Sequence, residues 1–284
     1  MKYRFIDAHR SEFRVRKMCR VLGISKSGYH EWKKQKMGTR KKEDELLVTH
    51  IIAAHERSRK TYGSPRITAE LKAHNIPCSK NRIARLMRIN GIVAKTKRRY
   101  RVTTQSRHTR PIAPNLLKER SIERPNTVWV SDITYIRTRE GWLYLAVVLD
   151  IFSRSVIGWS MGESLTDDLV VYAFHRAVLK RSPASFLIFH SDRGSQYASH
   201  RLRDLLASRG VIQSMSGKGN CYDNAFAESF FGTLKTELGR RHESRSDARQ
   251  DIFEYIEVFY NRTRRHSSLN YLSPLEYEKE HMLA

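Results

Sequence analysis

Two periodicities divide the chain near residue 125. Before it, apolar positions recur three and four residues apart, the spacing of helices that bury one face. Val15, Met18, Cys19 and Leu22 trace one such helix, Gly23 can end it, and Ser25 suits the N-cap of a second in which Tyr29 and Trp32 share a face. A charged helical stretch over about 41–57 follows, with Leu46, Leu47, Ile51 and Ile52 as its apolar positions, until Tyr62-Gly63-Ser64-Pro65 breaks the chain. Residues 66–74 and 79–90 predict a second helix pair, split by Asn75-Ile76-Pro77-Cys78, with Ser79 as N-cap, Gly91 as C-cap and Ile83, Leu86, Met87 and Asn90 as a buried stripe. After residue 125, β-branched and aromatic runs predict strands over 128–136, 142–149 and 155–161. A helix (166–180), a strand (186–191), a helix (197–209), a strand (211–216) and a helix (222–238) complete the series. Residues 246–262, with Ile252, Phe253, Ile256 and Phe259, predict an amphipathic packing helix.

Composition narrows the partners. The 284 residues carry 53 Lys+Arg against 29 Asp+Glu, a formal net charge of +24, with 40% hydrophobic residues. Such a chain can build cores, and its charge points to a polyanion, either nucleic acid or an acidic membrane surface. It contains no run of roughly 18 apolar residues, so no bilayer span and no membrane partner is expected. The first residues do not read as a signal peptide. Cys19, Cys78 and Cys221 lie far apart, which excludes a disulfide scaffold and a Cys-rich zinc site and suits a reducing cytoplasm. Position sharpens the total: residues 1–125 carry a net +23 and residues 126–284 a net +1. One half grips a polyanion, and the balanced half does something else.

Helix, short glycine-containing turn, helix is the plan of a helix-turn-helix reader, whose second helix enters the major groove. In the first pair Lys26, Ser27 and His30 would lie near the bases; in the second, Lys80, Arg82, Arg85 and Arg88 keep the outer face basic. An ordinary helical hairpin is the alternative for each. Residues 95–110 hold seven Lys+Arg, Lys97, Arg98, Arg99 and Arg101 among them, and no acid or hydrophobic period. They read as a linker or as a strap along DNA phosphates.

The balanced half places three acids at telling positions. Asp132 lies inside the first predicted strand, where Asp is disfavoured. Asp192 ends the fourth, before a glycine-containing loop, a favoured place for a site in open α/β sheets. Glu228 lies on the last helix, in a stripe with Asn224, Gly232 and Lys235 opposite a core face of Phe226, Phe230 and Leu234. Three hard carboxylates suit Mg²⁺ or Mn²⁺, and two such ions suit in-line phosphoryl displacement. Lys235, with Lys218 and Asn224, would contact DNA. Among the remaining candidates, Asp150 shapes the turn after the second strand and Asp223 caps the last helix. Trp159 packs in the core, and His190 either orients Asp192 or is a core histidine. Arg262, Arg264, Arg265 and His266 either meet target DNA or form a solvated tail.

The order βββαβαβα matches the ribonuclease-H-like fold, although other α/β folds share it. The acids add more. Asp132, Asp192 and Glu228, with 35 residues between the last two and Lys235 seven beyond, resemble the D,D-35-E pattern of retroviral-type integrases and related transposases. The runs Trp129-Val130-Ser131-Asp132-Ile133-Thr134-Tyr135-Ile136, His190-Ser191-Asp192-Arg193-Gly194-Ser195-Gln196-Tyr197 and Asp223-Asn224-Ala225 resemble second-frame products of the bacterial IS-three insertion-sequence group. So do Tyr62-Gly63-Ser64-Pro65-Arg66-Ile67, Tyr260-Asn261-Arg262, His266 and Leu275, and the likeness spans about residues 10–280. It implies an α/β, ribonuclease-H-like catalytic core preceded by an all-α helix-turn-helix region. It also implies a DDE transposase that cuts element ends and joins 3′-hydroxyls to target DNA as a homo-oligomer, near the nucleoid. In this group the active enzyme is often a frameshift fusion, so the upstream first-frame protein is an implied partner. The expected units are residues 1–60, 61–94, a basic linker 95–125, the core 126–240 and a helical extension 241–284.

Overall fold

The computed structural model describes residues 2–34, 39–95, 111–117, 122–183, 186–217, 225–239 and 241–282. Six helices come first: α1 (Lys2–Ala8), α2 (Val15–Val21), α3 (Lys26–Lys34), α4 (Thr39–Arg57), α5 (Ser64–Ala73) and α6 (Lys80–Ile89). Local chemistry sets their ends. Gly23 takes φ +62° after α2, the Ser25 hydroxyl accepts from the Gly28 N–H as α3 begins, and Ser79 accepts from the Arg82 N–H at the start of α6. α1 is absent from the expected elements; it is short and buries only Ile6. α1–α3 pack around a small core of Ile6, Met18, Cys19 and Tyr29. In α4 only Leu47 and Ile51 of the four expected apolar positions turn inward, while Leu46 and Ile52 are exposed. Asn90 is also exposed rather than part of the α6 stripe, and its amide donates back to the Leu86 carbonyl.

The second half follows the expected order: β1 (Val128–Thr138), β2 (Gly141–Asp150), β3 (Val156–Gly162), α7 (Asp167–Arg181), β4 (Ile188–Ser191), α8 (His200–Ser208), β5 (Ile212–Met215) and α9 (Ala225–Leu238). The sheet runs β3-β2-β1-β4-β5, antiparallel through the first three strands and parallel from β1 to β4 to β5. One face carries α7 and α8 over Trp129, Ala146, Phe174, Phe189 and Leu202. α7 can approach β3 because Gly158 has no side chain: a Cβ there would stand 2.2 Å from the Ala173 carbonyl oxygen. The other face, with Val128, Val130, Ile136 and Val147, packs against Phe230 and Leu234 of α9.

That second core also contains Leu47, Ile51, Ile67, Leu71 and Ile83, so α4–α6 share their interior with the sheet and α9. The C-terminal segment joins them. α10 (Arg245–Phe253) runs into π-helical turns over Glu254–Tyr260, and a 3-10 turn (Ser267–Leu269) and α11 (Pro274–Met282) follow. The Asn261 side chain pairs with the start of β3, accepting from the Val156 N–H and donating to its carbonyl, at 2.9 and 2.8 Å. Arg262 beside it is exposed, but neither expectation is met by Arg264, Arg265 and His266, which are buried. Arg264 grips Glu237 of α9 at 2.8 Å, and Arg265 reaches Glu70 of α5 at 2.6 Å. A charge taken from water needs a partner, and these side chains find theirs inside the protein rather than on DNA.

Candidate active site

β-Sheet register brings the first two acids together. Ser131 of β1 pairs in parallel with Ser191 of β4, so the next residues, Asp132 and Asp192, stand side by side where β4 ends. Alternation along β1 points Asp132 to the face of Val130 and Ile136, the face α9 covers. Each carboxylate is held by backbone: Asp132 Oδ1 accepts from the Ile133 N–H at 2.8 Å, and Asp192 Oδ1 from the Gly194 N–H at 2.9 Å. Glu228 is exposed on the first turn of α9, and Lys235 is half-buried two turns later on the same helix.

Electrostatics ties the four together. Desolvation raises the Asp132 carboxyl well above the usual carboxylate range, and the charges of Asp192 and then Glu228 push it the same way. The Ile133 N–H and the Lys235 ammonium oppose the shift. Tyr197, buried behind β1 with its hydroxyl 2.9 Å from Ser131 Oγ, is also raised, first by burial and then by Asp132 and Asp192. Sequence reasoning did not single out Tyr197; its only signal was membership of the run that follows Asp192.

Crowded carboxylates with hard oxygen donors fit a divalent cation. Among the described residues, no three His, Cys, Asp or Glu side chains already stand close enough together to hold one. Glu228 is the outlying member, on a helix that starts directly after residues 218–224, which lie outside the described residues.

The remaining candidates sort by place. Lys26, Ser27 and His30 project from the outer face of α3 while Tyr29 is buried beneath. Lys80 is exposed at the start of α6. Arg82 and Arg85 are not open cations: Asp44 of α4 accepts from them at 2.7 and 2.6 Å, and these bonds hold its carboxyl below the usual range. Lys97, Arg98, Arg99, Arg101, Lys218, Asn224 and Asp223 lie outside the described residues. Gly232 is buried rather than on an open stripe with Glu228. Asp150 does shape its turn, accepting from the N–H groups of Asn126 and Phe152 at 2.6 and 2.9 Å. His190 is fully buried, with its ring nitrogens on the hydroxyls of Ser214 and Ser216. Trp159 is half-buried and donates to Glu257 at 2.8 Å.

Comparison with known proteins identifies relatives of the whole chain. Integrase core domain profiles match residues 122–221 and 209–274, and an HTH-like domain profile matches residues 41–100, the span of α4–α6. The chain is 45% identical over 271 residues to the insertion element IS600 uncharacterized 31 kDa protein of Shigella sonnei, covering 94% of this chain and 100% of that one. It is 42% identical over 287 residues to transposase InsF for insertion sequence IS3A of Escherichia coli (strain K12), covering 99% and 100%. Among solved structures, similarity extends to a simian T-cell lymphotropic virus intasome, with 15% identity, coverage of 80% and 74%, and a TM-score of 0.47. The HTLV-2 integrase catalytic core domain in complex with magnesium gives 17% identity, coverage of 55% and 97%, and a TM-score of 0.43.

Proposed function

The chain belongs to the insertion-sequence transposases that include InsF of IS3, and on that premise we propose that Asp132, Asp192 and Glu228 are the centre at which it cleaves and joins DNA strands. The fold is the ribonuclease-H-like integrase core with helix-turn-helix-like helices before it, and the activity is DNA transposition. The observation that carries the site is the β1–β4 register, which sets two aspartates side by side under the charge of Glu228 and Lys235.

In this reading Asp132 and Asp192 offer adjoining oxygens, fixed in direction by the Ile133 and Gly194 N–H groups. Glu228 approaches from α9 as the third donor. Two Mg²⁺ or Mn²⁺ ions bound there would activate the attacking oxygen and neutralise charge on the leaving one. Lys235 sets an ammonium beside the acids, where it can hold a phosphate of the strand end. The outer face of α3 and Lys80 of α6 contact the element's terminal repeats, and target DNA meets the acidic centre. Two ends must be brought together, so the working form is a homo-oligomer on DNA, with or without the first-frame protein.

The test uses purified full-length chain, Mg²⁺ and a duplex ending in the terminal repeat. Asp192→Asn and Glu228→Gln should each lower nicking and joining by more than the roughly 10–100-fold typical of losing an outer partner of a metal ligand. Duplex binding in a gel-shift assay should survive both changes. Strand transfer that persists in either variant would remove that residue from the centre.

A further inference from the structure

A polar cavity lies along the face of α9 that carries Ser229, Phe230 and Thr233, turned away from Glu228. It has a volume of about 120 Å³ and is lined by Arg66 of α5, Arg154 of the β2–β3 turn, Ser229 of α9, and Arg264, His266 and Ser268 of the C-terminal segment. That is room for several waters or one oxyanion, and too little for an ordinary small-molecule site of roughly 300 Å³ or more.

Its charge is unbalanced. Arg264 is committed to Glu237, which accepts from its Nε and Nη2 and also from the Tyr255 hydroxyl. Arg66 lies over the Tyr62 ring and Arg154 over the Phe226 ring, 4.1 Å from its centroid. Among the described residues neither guanidinium has an ion pair or a hydrogen bond to a side chain. Burial lowers both of them; burial first, and then the three arginines, hold His266 neutral, with its pKa lowered to about 2.

The backbone supplies an independent sign. Arg154 adopts φ +62°, a left-handed conformation that glycine takes without steric cost and that a long side chain seldom occupies. Strain of this kind tends to be kept where the side chain is needed.

We propose that this cavity is a phosphate subsite that takes one backbone phosphodiester of bound DNA through Arg66 and Arg154, with the Ser229 and Ser268 hydroxyls as further donors. The assignment of DNA as the source of the phosphate rests on the transposase reading. Ser229 follows Glu228 directly, so one helix would fix a strand on this side and carry the third acid on the other.

The test compares full-length wild type with Arg154→Gly and Arg66→Gln, in duplex binding across a salt series and in thermal melting with and without inorganic phosphate. Arg154→Gly should melt no lower than wild type, because it relieves the turn. Each variant should show a salt slope shallower by about 0.9, the loss of one phosphate contact. Phosphate should raise the melting temperature of wild type and leave Arg154→Gly unmoved. A folded Arg154→Gly protein with unchanged salt slope and unchanged phosphate response would overturn the proposal. If only the phosphate response is lost, the cavity binds a free anion and DNA as its source is refuted. If wild type binds no duplex, the transposase reading itself fails, while the phosphate response still decides the cavity.

Discussion

Single residues in this protein carry opposite pH costs that hide one another. Burial raises Asp150 to about 6, with Glu278 adding to the shift and two backbone N–H groups and Arg181 opposing it. Its folded form therefore keeps a proton that the unfolded chain releases near pH 4, so stability falls as pH rises from about 4 to about 6. His266 is the reverse case. Lowered to about 2 by burial and then by Arg264, Arg66 and Arg154, it stays neutral in the fold while the unfolded chain gains a proton below about 6.5. Its contribution is complete above that pH and is lost as pH falls. Two pKa units amount to about 3 kcal/mol, so between pH 4.5 and 6.5 the two effects nearly offset. Urea denaturation at those two pH values should show Asp150→Asn gaining about 2 kcal/mol on going to pH 6.5. His266→Gln should lose about 2 kcal/mol over the same interval. Parallel pH profiles for all three proteins would refute the assignment. The same scale shows what a sequence can disclose. Asp132 stood out because a strand interior normally rejects a carboxylate. Arg264 and Arg265 read as surface charge because their partners, Glu237 and Glu70, lie 27 and 195 residues away.

Whole elements were legible where local spacing decides them. The order of strands and helices from β1 to α9 follows from a period of two giving way to one of three or four, and the ends fall within a few residues of expectation. The π-helical turns were not legible, since Ile252, Ile256 and Phe259 keep α-helical spacing on paper. In the fold, Asn261 and Arg264 donate to carbonyls five residues back, and Phe253, expected on the apolar face, is 51% exposed. Nor does spacing reveal how near two elements come. The α7–β3 contact depends on Gly158, whose added Cβ would also meet the Ala177 nitrogen at 2.7 Å. Backbone on a sheet-packed helix cannot step aside cheaply, so Gly158→Ala should cost about 1–3 kcal/mol. A lower urea midpoint at unchanged m value is the expected reading. An unshifted midpoint would mean that α7 rides on β3 more loosely than this.

At the scale of the molecule, the charge divide and the packing divide fall in different places. The net +23 of residues 1–125 suggests a DNA-holding half that could be detached from a neutral catalytic half. The interior contradicts such a cut, because Leu47, Ile51, Ile67 and Ile83 share one core with Phe230, Leu234 and Ile256. Ion pairs cross the same boundary, Arg59 to Asp251 at 3.0 Å and Arg265 to Glu70. Among the described residues of that half, only α1–α3 have an interior to themselves. Removing residues 1–34 should therefore leave a monodisperse protein with a cooperative thermal transition, weakened in duplex binding. Removing residues 1–94 should uncover apolar core shared with α9 and α10 and strand Arg265 without its counter-charge Glu70, so that the remainder aggregates or melts without cooperativity. Gel filtration and thermal melting of the two truncations distinguish these outcomes. A well-folded 95–284 fragment would show that the helix-turn-helix-like unit is carried by the core rather than built into it.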